Sequence, residues 1–159
     1  VADAATAAQH YRIAADAGLD WAMYNLANLL ATGRGVAGDQ LQAFALYRRA
    51  AEAGHAKSMN LLGRYLEEGQ ACRADPFAAR DWYRRSAESG AFRGQFSYAA
   101  VLADAGLIED ALGWLRKALA AGNASFLRVS IDSLSNARHP QIRQMVDAYR
   151  RRLGELLAA

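Results

Sequence analysis

The sequence predicts an all-α solenoid of antiparallel helix pairs, and three observations carry that expectation. The first is a recurring phrase. Tyr11-Arg12-Ile13-Ala14-Ala15-Asp16-Ala17-Gly18 returns as Tyr47-Arg48-Arg49-Ala50-Ala51-Glu52-Ala53-Gly54 and again as Tyr83-Arg84-Arg85-Ser86-Ala87-Glu88-Ser89-Gly90, each time after 36 residues. Weaker copies, Leu115-Arg116-Lys117-Ala118-Leu119-Ala120-Ala121-Gly122 and Tyr149-Arg150-Arg151, follow after 32 and 34. Self-similarity at such a period marks stacked helix pairs, which form binding surfaces more often than active sites. The second is composition: alanine supplies roughly a quarter of the chain and proline occurs twice, which favours helix and gives sheet no support. The third is that apolar residues recur at helical spacing in the same columns of each copy.

Taken in order, a leading helix within 1–18 stops at Gly18. Four amphipathic A helices follow the glycine stops, at Leu19 to Thr32, His55 to Glu68, Ala91 to Asp104 and Asn123 to Ser135. Their shared columns are Leu26, Leu62 and Tyr98, then the small Ala27, Gly63 and Ala99, then Leu30, Leu66 and Leu102. A small residue between two large ones lets a second helix approach closely. Four B helices alternate with them, at Asp39 to Ala53, Asp75 to Ser89, Leu107 to Ala121 and Pro140 to Leu157. Each of the first three buries a stripe that starts at Ala43, Ala79 or Ala111 and continues through Tyr47, Tyr83 or Leu115 to Ala50, Ser86 or Ala118. Asp39 and Asp75 stand where capping residues belong, and Pro76 occupies the first helical position. The expected organisation is one domain, 1–159, of about nine helices. It has a leading helix, repeats at 19–54, 55–90 and 91–122, and a terminal pair at 123–159. The third repeat is four residues shorter, and the loss falls between its helices, where loops absorb deletions.

The length of 159 residues, with 53% apolar and 22% charged content, fits a folded domain with a core. No apolar run approaches the ~20 residues that cross a bilayer, so no membrane span is expected. The single Cys72 cannot form an internal disulfide and gives no compartment signal. A start at Val1, without methionine, basic start or apolar signal core, reads as a processed or trimmed product. The expected location is the cytoplasm, or the periplasm had a signal peptide been removed.

Gly33, Gly35 and Val36, the following Asp39 and Ala43, and the aromatic-(Lys/Arg)-(Lys/Arg)-Ala-Ala-Glu-x-Gly ending together carry a resemblance. From Tyr11 to Gly122 the chain resembles Sel1-like repeat proteins, relatives of the tetratricopeptide repeat. Repeats one and two fit the 36-residue Sel1 form, while the shorter third looks like an ordinary tetratricopeptide repeat. The resemblance implies a right-handed superhelix and an adaptor that binds a protein or peptide segment.

Enzyme motifs find no support. Gly33 to Gly38 spells G-x-G-x-x-G, but a dinucleotide site needs a preceding strand in a βαβ unit, and here a helix precedes. The segment reads as a turn. His10, His55 and His139 are scattered, with no second cysteine and no H-E-x-x-H, so no metal is expected. Neither G-x-S-x-G nor a phosphate-loop lysine motif occurs, and no catalytic residue or cofactor is assigned. Glu67-Glu68 lies at a helix C-terminus, where the dipole disfavours negative charge, and Arg64 is the expected offsetting partner.

Net charge is +3, with a pI near 9.2, and arginine carries nearly all the positive charge. Arg48-Arg49, Arg84-Arg85, Arg116-Lys117 and Arg150-Arg151 would form a ladder along the B helices able to track phosphates. Glu52 and Glu88, four residues beyond Arg48 and Arg84, favour a solvated face instead. Nucleic acid is therefore the second reading, and a regulatory subunit of an enzyme encoded elsewhere the third. The last helix, with Arg143, Arg150, Arg151 and Arg152 and then Leu153, Leu156 and Leu157, is expected to cap the stack or to form a dimer contact.

The candidate partner surface comes from the A helices, which line the concave groove of helix-pair repeats. Positions offset by the helical period from Leu26 and Leu62 are Trp21, Tyr24 and Asn28, then Lys57, Asn60, Arg64 and Glu67. The third and fourth A helices add Arg93, Phe96 and Ala100, then Arg128 and Asp132. Trp21 and Tyr24 are of the type that anchors interfaces, Asn28 and Asn60 suit a peptide backbone, and the cations suit an acidic segment. Trp21 has a competing place in the core, against the leading helix. Some tetratricopeptide proteins hold C-terminal carboxylates with a lysine and asparagine set. Asn28 lies in a suitable column, but Tyr24 stands where the lysine belongs.

Overall fold

The computed structural model describes residues 3–159. Its helices are α1 (Asp3–Asp16), α2 (Asp20–Thr32), α3 (Gln40–Glu52), α4 (Ala56–Glu68), α5 (Pro76–Glu88), α6 (Phe92–Asp104), α7 (Ile108–Ala121), α8 (Ala124–Ser135), α9 (Pro140–Arg143) and α10 (Met145–Ala158). Among the described residues there is no strand. Nine helices have twelve residues or more, and α9 is a single turn continued into α10 through Gln144, itself right-handed helical. The fold is all-α, as the period required. The part of the leading helix expected at residues 1 and 2 lies outside the described residues.

Local chemistry fixes the helix starts. The Asp39 carboxylate accepts from the Gln42 amide at 3.0 Å, Asp75 from Ala78 at 3.0 Å, and Asn123 from Phe126 at 2.9 Å. Each satisfies an amide the helix itself cannot. In the turn after α2, Gly35 has φ +72°, and a Cβ there would collide with the Ala4 backbone of α1. The G-x-G segment is thus a turn against which α1 lies, with no strand before it.

The chain divides into two compact units, one ending at Ser86 and one spanning Ala87–Ala159. In the first, α1, α2 and α3 bury Ala15, Ala22, Leu26, Ala27, Ala43 and Ala50 at 1% exposure or less. Gly63 of α4 lets a ring approach closely: a Cβ there would stand 2.6 Å from Cε1 of Tyr83 on α5. Side-chain hydrogen bonds tie the stack across helices. The Tyr47 hydroxyl donates to Asn28 Oδ1 at 2.5 Å, Tyr65 to Gln40 Oε1 at 2.5 Å, and Ser86 to the Ala56 carbonyl at 2.7 Å.

In the second unit, α6, α7, α8 and α10 surround Leu102, Leu115, Phe126, Leu127, Leu134 and Tyr149. The buried Tyr149 hydroxyl donates to the Leu115 carbonyl at 2.7 Å, joining α10 to α7. Tyr98 departs from its column. It is only half-buried and meets Trp114 of α7 edge-on at 5.6 Å, a favourable arrangement for two aromatic rings.

Candidate partner-binding site

The sequence-predicted surface residues are best followed helix by helix. On α2, Trp21 is 46% exposed while its ring meets Tyr11 of α1 edge-on at 6.3 Å, so one edge packs and the other faces water. Tyr24 is half-buried between Tyr47 and His55, with ring centroids 6.3 and 4.8 Å away. Asn28 is also half-buried, and the Tyr47 hydroxyl already occupies its carbonyl oxygen. For a partner it has chiefly its amide N–H groups.

On α4, Lys57, Arg64 and Glu67 are exposed, whereas Asn60 is 3% exposed. Asn60 is a correction to the surface expected from the helical offset. The first turns of α4 are covered where Ser86 of α5 bonds to Ala56, and Ser58 and Met59 are buried beside it. Its Oδ1 is buried without a hydrogen-bond partner. Arg64 also departs from expectation, since no ion pair with Glu67 or Glu68 forms among the described residues. Glu67 instead accepts from the Tyr83 hydroxyl at 3.3 Å. Arg64 lies close enough to act electrostatically on Tyr47 and Tyr83, whose hydroxyls burial nevertheless pushes well above the ordinary tyrosine range.

On α6 and α8, Arg93, Ala100, Arg128 and Asp132 are exposed. The Arg93 guanidinium lies over Phe92 at 4.9 Å. Phe96 is half-buried, edge-on to Phe126 at 5.6 Å, with Tyr149 at 6.4 Å. Its ring serves the core and the wall of a cavity of about 180 Å³ that sequence reasoning missed. The only sequence trace of that cavity is the run of small residues Ala99, Ala100 and Ala103.

His55 and His139 both precede helices but behave differently. The Nδ1 of His55 accepts from the Ser58 amide at 3.3 Å and lies 2.8 Å from its hydroxyl, and burial lowers the pKa of the imidazole. His139 makes no side-chain capping bond to α9. Among the described residues, no group of three or more His, Cys, Asp or Glu side chains is placed to hold a metal ion.

The B-helix cations are partly engaged. Arg48 pairs with Glu52 at 3.0 Å and Arg84 with Asp81. Arg85 lies over Trp82 at 4.1 Å and Lys117 over Trp114 at 4.3 Å. These are ordinary uses of solvated helix faces.

The repeat geometry has a sequence counterpart. The model of the Sel1 repeat matches residues 2–19, 22–55, 56–90 and 101–123, more than half the chain. The chain belongs to the Sel1 repeat family. Sel1 repeats are generally protein–protein interaction scaffolds and typically non-catalytic. Among solved structures, the chain is similar to a protective antigen present in uropathogenic Escherichia coli strains that displays an SLR fold. The TM-score is 0.76 and the identity 29%, over 96% of this chain and 34% of that one. A Sel1 repeat protein from Oxalobacter formigenes shares the fold with a TM-score of 0.73 and 22% identity, over 95% of this chain and 62% of that one. The chain therefore spans about a third of the first and less than two thirds of the second. No curated protein matches its sequence. The stretch 91–100, which holds the first turns of α6, lies between matched Sel1 segments, and Ala105, Gly106 and Leu107 alone join α6 to α7. No helix among the described residues is long and apolar enough to cross a membrane.

Proposed function

We propose that this Sel1 repeat domain is an adaptor that holds an acidic protein or peptide segment against its A-helix faces. One observation supports the reading most. The exposed A-helix cations Lys57 and Arg64 on α4, Arg93 on α6 and Arg128 on α8 take part in no ion pair among the described residues, although Arg48, Arg84 and Arg152 do. Exposed, uncompensated cations attract an acidic segment from solution, and guanidinium groups can clasp its carboxylates two bonds at a time. Half-exposed Trp21 and the N–H groups of Asn28 add an anchor and a backbone contact in the first unit.

The test is capture by immobilised domain from a library of acidic and neutral peptides. Acidic segments should be enriched, and the double variant Lys57→Glu/Arg64→Glu should lose at least tenfold in affinity for those recovered while melting as the parent does. Unchanged affinity in that variant and in Arg93→Glu/Arg128→Glu excludes these faces. A mobility shift with generic DNA and RNA at two salt concentrations serves as the competing arm. Tight binding that collapses with salt would favour the B-helix arginines and nucleic acid.

A further inference from the structure

A cleft between α7 and α10 in the second unit carries an inference independent of the acidic-segment reading. Its volume is about 310 Å³, and Arg116 of α7 lines it together with Arg151 and Arg152 of α10, beside the apolar Leu119 and Ala148. Glu155 is the one carboxylate among the lining residues. The two helices are held to each other close by, where the Tyr149 hydroxyl donates to the Leu115 carbonyl.

Three guanidinium groups against one carboxylate leave the cleft two positive charges in excess. Only Arg152 meets Glu155, at a long 3.4 Å. Arg116 and Arg151 take part in no ion pair among the described residues, although Asp147 and Glu155 stand one helical turn to either side of Arg151. On an ordinary solvated face a carboxylate at that spacing pairs with the cation, as Glu52 does with Arg48. Like charges gathered around one cleft repel each other, and an anion seated among them relieves that repulsion.

Charge and shape choose among anions. Arg116 and Arg151 are exposed, so the cleft opens to solvent and suits a group projecting from a longer chain better than a small molecule, which a pocket must enclose. A carboxylate or a nucleic-acid phosphodiester brings one negative charge. A phosphorylated serine or threonine brings close to two, matching the excess, with three strong acceptor oxygens. Guanidinium forks take such oxygens two bonds at a time, and Leu119 and Ala148 offer apolar contact to the carbon that carries the phosphate.

We infer that this cleft binds the phosphate of a phosphorylated serine or threonine in a partner segment, held by Arg116, Arg151 and Arg152.

Fluorescence anisotropy of the intact protein with a terminally blocked peptide whose only charge is one phosphoserine tests this, beside the same peptide carrying serine or glutamate there. The phosphoserine peptide should bind more tightly than either by about tenfold or more, the ratio one charge-assisted hydrogen bond supplies. Arg116→Gln/Arg151→Gln should remove that advantage. Glu155→Gln, which deletes the competing carboxylate, should strengthen phosphoserine binding, and a gain in affinity keeps the test decisive should the double variant fold poorly. Glutamate that binds as tightly as phosphoserine, an advantage that survives in folded Arg116→Gln/Arg151→Gln, or unchanged affinity in Glu155→Gln overturns the assignment. So does a single-stranded oligonucleotide that outbinds the phosphopeptide and is lost in the same double variant, since the cleft would then contact a nucleic-acid backbone. An advantage lost in Lys57→Glu/Arg64→Glu would place the phosphate on α4 and overturn it too. The first four outcomes leave capture of acidic peptides by Lys57 and Arg64 untouched.

Discussion

Gly63 shows how much a single residue decides. It stands in a column otherwise filled by Ala27 and Ala99, and helix propensity alone favours alanine over glycine by about 1 kcal/mol. Space argues the other way, because its missing Cβ is the site of Cε1 and Cδ1 of Tyr83, 2.6 and 2.7 Å from where that carbon would be. The Tyr83 ring cannot easily swing aside, being 3% exposed and tethered through its hydroxyl to Glu67. Gly63→Leu should therefore destabilise the first unit by ~1 to 3 kcal/mol, the usual cost of overpacking. Denaturant unfolding of variant and parent measures it, and an unaltered midpoint would contradict the α4 to α5 register. The same residue scale explains Asn60. Its offset from Leu62 places it on the outward side of an isolated helix, and packing with other helices converts that position into one only 3% exposed.

At the scale of helices, the repeated tyrosines do more than fill the stripe. Tyr47 on α3 and Tyr83 on α5 each carry a hydroxyl to the preceding A helix, at Asn28 and Glu67, while Tyr149 on α10 reaches α7. Burial is the main reason all three hydroxyls ionise well above the ordinary tyrosine range. In the unfolded chain they ionise near ~10. Their neutral, buried state thus contributes stability that is complete below that pH and is lost as pH rises above it, because the unfolded chain alone releases the protons. The melting temperature should fall steeply from pH ~10 upward, and the triple variant Tyr47→Phe/Tyr83→Phe/Tyr149→Phe, though less stable at neutral pH, should fall less. An equally steep fall in both proteins would remove the tyrosines from that role. The bounds of α2 to α8 to within a residue or two, the Asp39 and Asp75 caps and the small columns were legible in the sequence, since the period of 36 aligned Leu26 with Leu62 and Ala43 with Ala79; the break between α9 and α10 and the His55 cap were not. The exposed cations of the candidate surface were legible for the same reason. Phe96, Tyr98 and the cavity beside His139 were not. Their placement is set by Phe126, Trp114 and Ile142 on other helices, and no spacing within one helix encodes those meetings.

At the scale of the whole molecule, the last helix has two expected roles, and its side chains discriminate between them. Tyr149 is fully buried, Val146 nearly so, and Leu153 and Leu156 are packed against the core of the second unit. Leu157 is 57% exposed, and Arg150 and Arg151 are exposed as well. One exposed leucine among arginines is a poor dimer face, since a stable interface buries ~800 Å² per partner around an apolar centre. The apolar side of α10 is instead packed against the core of its own unit. Truncation before Gly154 removes Leu156 together with the exposed end, so it should lower the melting temperature while leaving the mass measured by light scattering unchanged. A truncated chain that halves in mass yet keeps its melting temperature would mean that α10 joins two copies, and its leucines would then have to be assigned to an interface.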